Sequence, residues 1–370
     1  MPQTMRAARM HRSDEPLKID NVPVPRPRST DVLVEVKACG IVPNLGNVLR
    51  NLGQWYPHLT LPPLPAIYGL DPSGVIVDKG EQVHGLEIGQ RVYVNPARYC
   101  GGCIVCRTGE PELCESFACS GYFGVGRNSQ QLLKDYPYGG MCEYMTAPQY
   151  AIATIPDNVS HESAARWGYL GTAYKALRLA GAGPNSTVVV NGATGTLGLG
   201  VVLFALALGV GRIFAVARDQ MLLDRVKALS PARIETLSTN GGTSIAEWVR
   251  SRTHGDGASI IVDSLGPGAP AEVMLDALGG LRRGGQLVNV GAVTGEVPVN
   301  LNSMMSNDRS IIGSNWFSTA DAQAMAGLAE AGLVDLDVFE HEIFKLDEVN
   351  EALSTIGARN GGFSNYVIVP

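Results

Sequence analysis

At 370 residues the chain is long enough for two domains, each with its own core. Hydrophobic residues make up 45% and charged residues 17%, the balance of an ordinary globular protein and not of a disordered one. A net charge of -6 lacks the basic excess that neutralises phosphates, which excludes a nucleic-acid binder and leaves small-molecule chemistry.

The first stretch, 1–18, carries Arg6, Arg9, Arg12, Asp14 and Glu15 and has no apolar run of signal-peptide length, so a cytoplasmic protein is expected. Strands are predicted at 17–21 and 32–38, on either side of a corner marked by Pro23, Pro25 and Pro27. Shorter β-like runs at 74–77, 91–94 and 143–146 follow, broken by Gly and Pro, to about residue 156. From Glu162 the pattern changes. Helical stretches alternate with apolar, β-branched runs at 188–190, 213–216, 259–262 and 286–290, the pattern of a parallel sheet with crossover helices. The 15 residues 197–211 are all apolar or glycine, yet a bilayer-spanning helix needs about 20, so a buried helix is expected and no membrane partner. A helix at 320–331, a strand at 339–344, a helix at 346–356 and a strand at 366–369 close the chain. The expected layout is a β-rich domain of 1–170 and 315–370 interrupted by a doubly wound dinucleotide domain of 171–314.

Four of the seven cysteines, Cys100, Cys103, Cys106 and Cys114, form C-x2-C-x2-C-x7-C in a glycine-rich lobe. Such spacing suits a closed tetrahedral thiolate shell around a structural zinc in a reducing compartment. The competing reading is an iron–sulfur cluster, whose bacterial runs continue instead with C-x3-C-P.

The run Val188-Val189-Val190-Asn191-Gly192-Ala193-Thr194-Gly195-Thr196-Leu197-Gly198 leads from a strand through a glycine turn into a helix. That turn lets a pyrophosphate approach the backbone and rest on the N–H groups of the helix N-terminus. Gly192, Ala193, Gly195, Thr196, Leu197 and Gly198 are therefore candidate cofactor residues. About 20 residues on, where an NAD site carries an acid for the ribose, the chain reads Ala217 then Arg218, which favours NADP. In the alternative, Arg218 is a surface residue and Asp219 binds the ribose of NAD.

With these motifs stand Lys37-Ala38-Cys39-Gly40-Ile41, Gly69-Leu70-Asp71-Pro72-Ser73-Gly74-Val75, Gly139-Gly140-Met141-Cys142-Glu143-Tyr144 and Leu346-Asp347-Glu348-Val349-Asn350-Glu351-Ala352-Leu353. In motif and order the chain resembles the zinc-type medium-chain alcohol dehydrogenases over nearly its whole length. The resemblance implies a GroES-like β-rich catalytic domain joined to a Rossmann domain, a homo-oligomer (dimer or tetramer), and Thr172, Val290 and Gly291 as further cofactor residues.

The resemblance also locates a departure. The family's catalytic zinc ligands are a Cys after Gly-Ile, the His of Gly-His-Glu, and a Cys or Asp shortly before Thr172-Ala173-Tyr174. Those places hold Val42, Leu70 and, within a residue or two, Gly168, while a supporting Asp is replaced by Leu45. A substitute zinc set of Cys39, Asp71 and His58 is the alternative. The family's substrate-hydroxyl and proton-relay residues align with Asn44 and Asn47. Pocket candidates are Asn44, Asn47, Tyr56, His58, Asp71 and Tyr169, though an Asn after Pro often makes only a turn and a Tyr often only packs. The aromatic-rich segment 115–138 either walls the pocket or is a surface loop. The expected function is NAD(P)H-dependent reduction of an activated C=C, C=N or C=O bond in a small organic substrate without catalytic zinc. The alternatives are an alcohol or ketone dehydrogenase, and a non-catalytic NADPH-binding sensor.

Overall fold

The computed structural model describes residues 2–13, 15–55 and 57–370, apart from the side chains of residues 47, 52, 53 and 55. Among the described residues the β-rich part is organised around the long strand Asp31–Gly40, buried along most of its length. It pairs antiparallel with Asp71–Lys79, with Tyr144–Pro148 and, at its end, with Ser364–Val369. Arg91–Val94 and Ile152–Thr154 extend this sheet on one side, and Glu340–Lys345 on the other, parallel to Ser364–Val369. The tail thus pairs with strands from the first 80 residues. A smaller sheet of Lys18–Pro23, Thr4–Met10 and Ala66–Ile67 covers one end.

The second unit is a six-stranded sheet in the order Ile234–Ser238, Arg212–Ala217, Thr187–Asn191, Ala258–Asp263, Leu281–Asn289, Ser310–Gly313, every neighbouring pair parallel. Numbered by first appearance this is 3-2-1-4-5-6, the doubly wound order whose switch point lies beside the first strand. Its central strands are apolar because helices cover both faces: Val189 sits between Phe214 and Ile261 in the ladder, and all three are fully buried.

The apolar run after the glycine turn forms the helix Thr196–Ala207, with Leu199, Val201, Val202 and Phe204 buried. Among the described residues no helix is long and apolar enough to cross a membrane. The helix Trp167–Leu179 packs on it and connects the two units.

Most predicted elements fall within a few residues of the observed ones, as with 91–94 and Arg91–Val94. The 346–356 run divides into a 3-10 turn, Leu346–Glu348, and the helix Val349–Thr355. The strands Thr4–Met10, Ile234–Ser238 and Ser310–Gly313 and the helix Leu45–Trp55 are additions to the sequence-based expectation.

Candidate active site

The cysteine lobe begins after the strand Ala97–Arg98. Positive φ at Gly101 lets the backbone turn tightly, and Cys103 begins the short helix Ile104–Arg107. The Sγ atoms of Cys100, Cys103, Cys106 and Cys114 all lie within 4.8 Å of one another. Cys103 Sγ is 3.4 Å from Cys106 Sγ and 3.8 Å from Cys114 Sγ, close to the separation of about 3.8 Å that a tetrahedron with Zn–S bonds of about 2.3 Å requires. A disulfide would bring two sulfurs to about 2.05 Å, and a cluster of several irons would hold them further apart. The amides of Gly102 and Cys103 lower the Cys100 thiol below its ordinary value, which favours the thiolate a metal needs. Cys114 Sγ accepts hydrogen bonds from the Cys100 and Ser116 amides. The donor set fits one zinc.

The glycine turn sits at the sheet's switch point, between Thr187–Asn191 and Thr196–Ala207. Gly192 has φ +87°, and a Cβ on Gly198 would lie 2.1 Å from the Gly192 carbonyl oxygen, so side chains are excluded where backbone meets backbone. Ala193 is buried, Gly195 is the helix N-cap, and the buried Thr196 hydroxyl has no hydrogen-bond partner in the protein. An orphaned hydroxyl beside the free N–H groups of a helix N-terminus fits a pyrophosphate.

The turn is braced from the neighbouring strand. Asn191 Nδ2 donates to Asp263 Oδ1 at 2.7 Å, and Ser264 Oγ donates to the Asn191 carbonyl at 2.7 Å. Burial raises the Asp263 carboxyl to about 6, opposed by its hydrogen bonds from Asn191 and the Leu265 amide.

At the end of Arg212–Ala217 the Arg218 side chain is exposed, while its carbonyl accepts from Ser238 Oγ at 2.8 Å and Asn240 Nδ2 at 3.0 Å. The Asp219 carboxylate accepts from the Leu222 amide at 3.0 Å, capping the helix Gln220–Ala228.

Between the two units lies a cleft with connected chambers. The inner one, about 190 Å³, is lined by Thr172, Leu197 and Val290, three of the residues expected to meet a cofactor, and by Val42, Leu70, Gly168, Tyr169 and Trp316. The outer one, about 730 Å³, shares Tyr122, Phe123, Val290 and Asn315 with it and adds Asn44, Val48, His58 and Gly291. A third cavity of about 360 Å³ adds Glu112, Lys175 and Ser314 and again reaches Val290 and Trp316. The segment 115–138 therefore walls the cleft through Tyr122 and Phe123. Elsewhere it braces the β-rich part, where Tyr136 Oη donates to Asp31.

Asp71 lies under this cleft, not in its wall. It is 2% exposed and accepts from Tyr93 Oη at 2.8 Å. Burial raises its carboxyl to about 7 against the hydrogen bonds of Tyr93 and the Gly168 amide and the attraction of Arg166. Its carboxylate occupies the space beside Gly168, where a Cβ would meet Asp71 Oδ1 at 2.2 Å. Tyr169, next in the chain, has the Arg166 guanidinium 5.8 Å from its ring centre, and burial keeps its phenol raised.

Asn44 and His58 line the outer chamber and Tyr169 the inner one; the Asn47 side chain and Tyr56 lie outside the described residues. Cys39 is fully buried, and among the described residues the lobe's four cysteines are the one group of three or more His, Cys, Asp or Glu close enough to share a metal. The substitute set of Cys39, Asp71 and His58 does not assemble. Sequence reasoning missed Asn315, Trp316 and Ser314, which follow Ser310–Gly313, and also Glu112 and Lys175. A short edge strand carries too few residues to announce the turn after it.

A dinucleotide-type sheet, a closed thiolate lobe and an apolar cleft between two units define a pyridine-nucleotide oxidoreductase. Residues 28–157 match the alcohol dehydrogenase GroES-like domain and residues 196–331 the zinc-binding dehydrogenase domain. The alcohol dehydrogenase of Geobacillus stearothermophilus is 30% identical over 362 residues, covering 96% of this chain and 98% of the relative. Bacillus subtilis sorbitol dehydrogenase is 27% identical over 357 residues, covering 95% and 94%. The crystal structure of AibC superposes with a TM-score of 0.85 at 26% identity, covering 100% of this chain and 96% of that one. The chain belongs to the zinc-type medium-chain alcohol dehydrogenase superfamily.

Proposed function

We propose that this chain is an NADPH-dependent reductase acting on an activated C=C, C=N or C=O bond of a small organic substrate without a catalytic metal. The observation that carries this reading is the trio Val42, Leu70 and Gly168. All three line the inner chamber where relatives are expected to hold the catalytic zinc, and none offers a ligand atom. The Asp71 carboxylate fills the space that a third ligand's Cβ would need. A catalytic zinc contributes several kcal/mol by polarising a carbonyl, so without ligands for it the easier electrophiles are favoured.

When bound, NADPH supplies a hydride, with its electron pair, to the electrophilic carbon, such as the β-carbon of an enone. Gly192, Ala193, Gly195, Thr196 and Gly198 would hold the pyrophosphate on backbone N–H groups at the start of Thr196–Ala207, and Thr172, Leu197, Val290 and Gly291, which line the cleft, would hold the rest of the cofactor. Arg218 pairs with the 2′-phosphate, a role supported by the engagement of the Asp219 carboxylate in capping its own helix. Tyr169 keeps its proton because burial raises its phenol, and it donates a hydrogen bond to the oxygen on which negative charge develops. The α-carbon then takes a proton from water, completing the reduction. Asn44 and His58 orient the substrate from the outer chamber. The four-cysteine lobe holds one structural zinc.

The test follows NADPH absorbance with enones, imines, quinones and aldehydes, before and after chelation of loosely held metal. Metal-independent consumption by one of these classes is the expected result. Interconversion of alcohol and ketone is the second reading, favoured by the names of the relatives, and product analysis separates the two. Turnover that depends on added zinc would overturn the first. Tight NADPH binding with no turnover on any class would favour a nucleotide sensor.

A further inference from the structure

The cleft's lining narrows the substrate class, an inference that rests on the cleft being the substrate site of the proposed reductase. Neither the inner nor the outer chamber is lined by a Lys, Arg, Asp or Glu side chain; the cleft's charged groups, Glu112 and Lys175, line the third cavity and are paired with each other at 2.6 Å. Beyond the residues expected to meet a cofactor, the inner chamber presents Val42, Leu70 and Trp316, and the outer one Val48, Leu59 and Val125, with Tyr122 and Phe123 shared. The rings of Tyr122 and Phe123 stand 4.4 Å apart, forming a continuous aromatic wall between the chambers. The polar groups, chiefly Asn44, His58, Tyr169 and Asn315, are few and spread over both chambers. This is a wall for one polar handle and an apolar body.

A substrate carboxylate or phosphate in these two chambers would lose its hydration with no Lys or Arg side chain there to replace it. A polyol fares little better, because hydroxyls set against Val, Leu and Phe side chains lose water hydrogen bonds without regaining them; in a hydrophobic pocket one extra hydroxyl already costs roughly 100-fold. We propose that the cleft takes an uncharged, predominantly apolar ligand, an alkyl- or aryl-substituted α,β-unsaturated ketone or aldehyde, with the substituent seated against Tyr122, Phe123, Val48, Leu59 and Val125. The expectation contrasts with the sugar alcohol in the name of the Bacillus relative.

The experiment separates binding from turnover. Full-length protein saturated with oxidised cofactor is titrated with benzylideneacetone bearing a para methyl ester, with the corresponding free acid, and with sorbitol, following tryptophan fluorescence because Trp316 lines the inner chamber. The ester should bind at least roughly tenfold tighter than the acid, whose carboxylate must shed its hydration, and sorbitol should give no saturable signal. Val125 is 38% exposed, so a substitution there leaves the fold intact, and Val125→Lys should improve the acid several-fold relative to the ester. Comparable binding of acid and ester, saturable binding of sorbitol, or no relative gain for the acid in V125K would overturn the assignment. Tight ester binding without NADPH consumption would instead sink the reductase reading and leave the substrate class standing.

Discussion

Lys175, on the helix Trp167–Leu179 that connects the two units, donates to the Glu112 carboxylate of the cysteine lobe at 2.6 Å, with only 7% and 14% of the two side chains exposed. The same helix contributes Gly168, Tyr169 and Thr172 to the inner chamber. The pair therefore fastens the lobe, through one helix, to the cleft wall.

Removing one member of a largely buried ion pair leaves the other charge without compensation, at a cost of about 3–5 kcal/mol. Lys175→Met and Glu112→Gln should each lower the denaturation midpoint markedly. Because the two groups are in contact, the double variant should lose much less than the sum of the single losses. Strict additivity in urea titrations would show that the two side chains do not depend on each other.

Cofactor preference tests Arg218. A charge-assisted hydrogen bond to a 2′-phosphate contributes about 1.5–3 kcal/mol, which corresponds to roughly 10- to 150-fold in affinity. Arg218→Ala should weaken NADPH by that factor and leave NADH nearly unchanged, as read from dissociation constants for both cofactors. An equal loss for the two, or none, removes Arg218 from the site. An Asp219→Asn variant should change stability slightly, through its helix cap, and leave the preference alone.

The cysteine spacing and the strand–glycine–helix run were legible because each motif lies within about a dozen residues and its chemistry depends on local backbone geometry. The strand ladder was legible too, since parallel central strands read as unbroken apolar runs. The helix Leu45–Trp55 was missed although Leu45, Val48 and Leu49 carry helical spacing, because Gly46 and Gly53 lower the propensity of the segment. Glu112 and Lys175 meet across 63 positions, and Asp71 meets Gly168 across a domain core. Nothing local in the sequence marks either meeting. The Gly69-Leu70-Asp71 motif points Asp71 to the pocket, and only the fold puts it beneath Gly168.

Asp71 should leave a signature in the pH dependence of stability. Burial raises its carboxyl from 3.8 to about 7, so between those values the folded protein binds a proton that the unfolded chain has released. Stability from this group is fully present below pH 4 and is lost as pH rises through about 7, a change on the order of 4 kcal/mol. Asp71→Asn has no proton to lose and still accepts from Tyr93. The stability of the variant relative to wild type should therefore improve steadily from pH 4 to pH 8. Parallel curves across that interval would mean that Asp71 titrates as an ordinary carboxylate.

The last prediction concerns metal content: the folded protein binds one zinc per chain at Cys100, Cys103, Cys106 and Cys114, and turnover does not use it. Four sulfurs within 4.8 Å close a shell with no open position, whereas Val42, Leu70 and Gly168 offer no ligand in the cleft. Stability and turnover at saturating cofactor should therefore separate. Cys103→Ser should reduce zinc content and lower the melting temperature, since metal binding in such lobes is coupled to folding. Some loss of cofactor affinity should follow, because Glu112 sits two residues before Cys114 and anchors Lys175 on the connecting helix. Adding zinc to the wild type should leave the rate unchanged. Two tightly held zincs per chain, or a rate that climbs with zinc once the lobe is full, would restore a metal-dependent alcohol dehydrogenase mechanism and discard the zinc-free reading of the cleft.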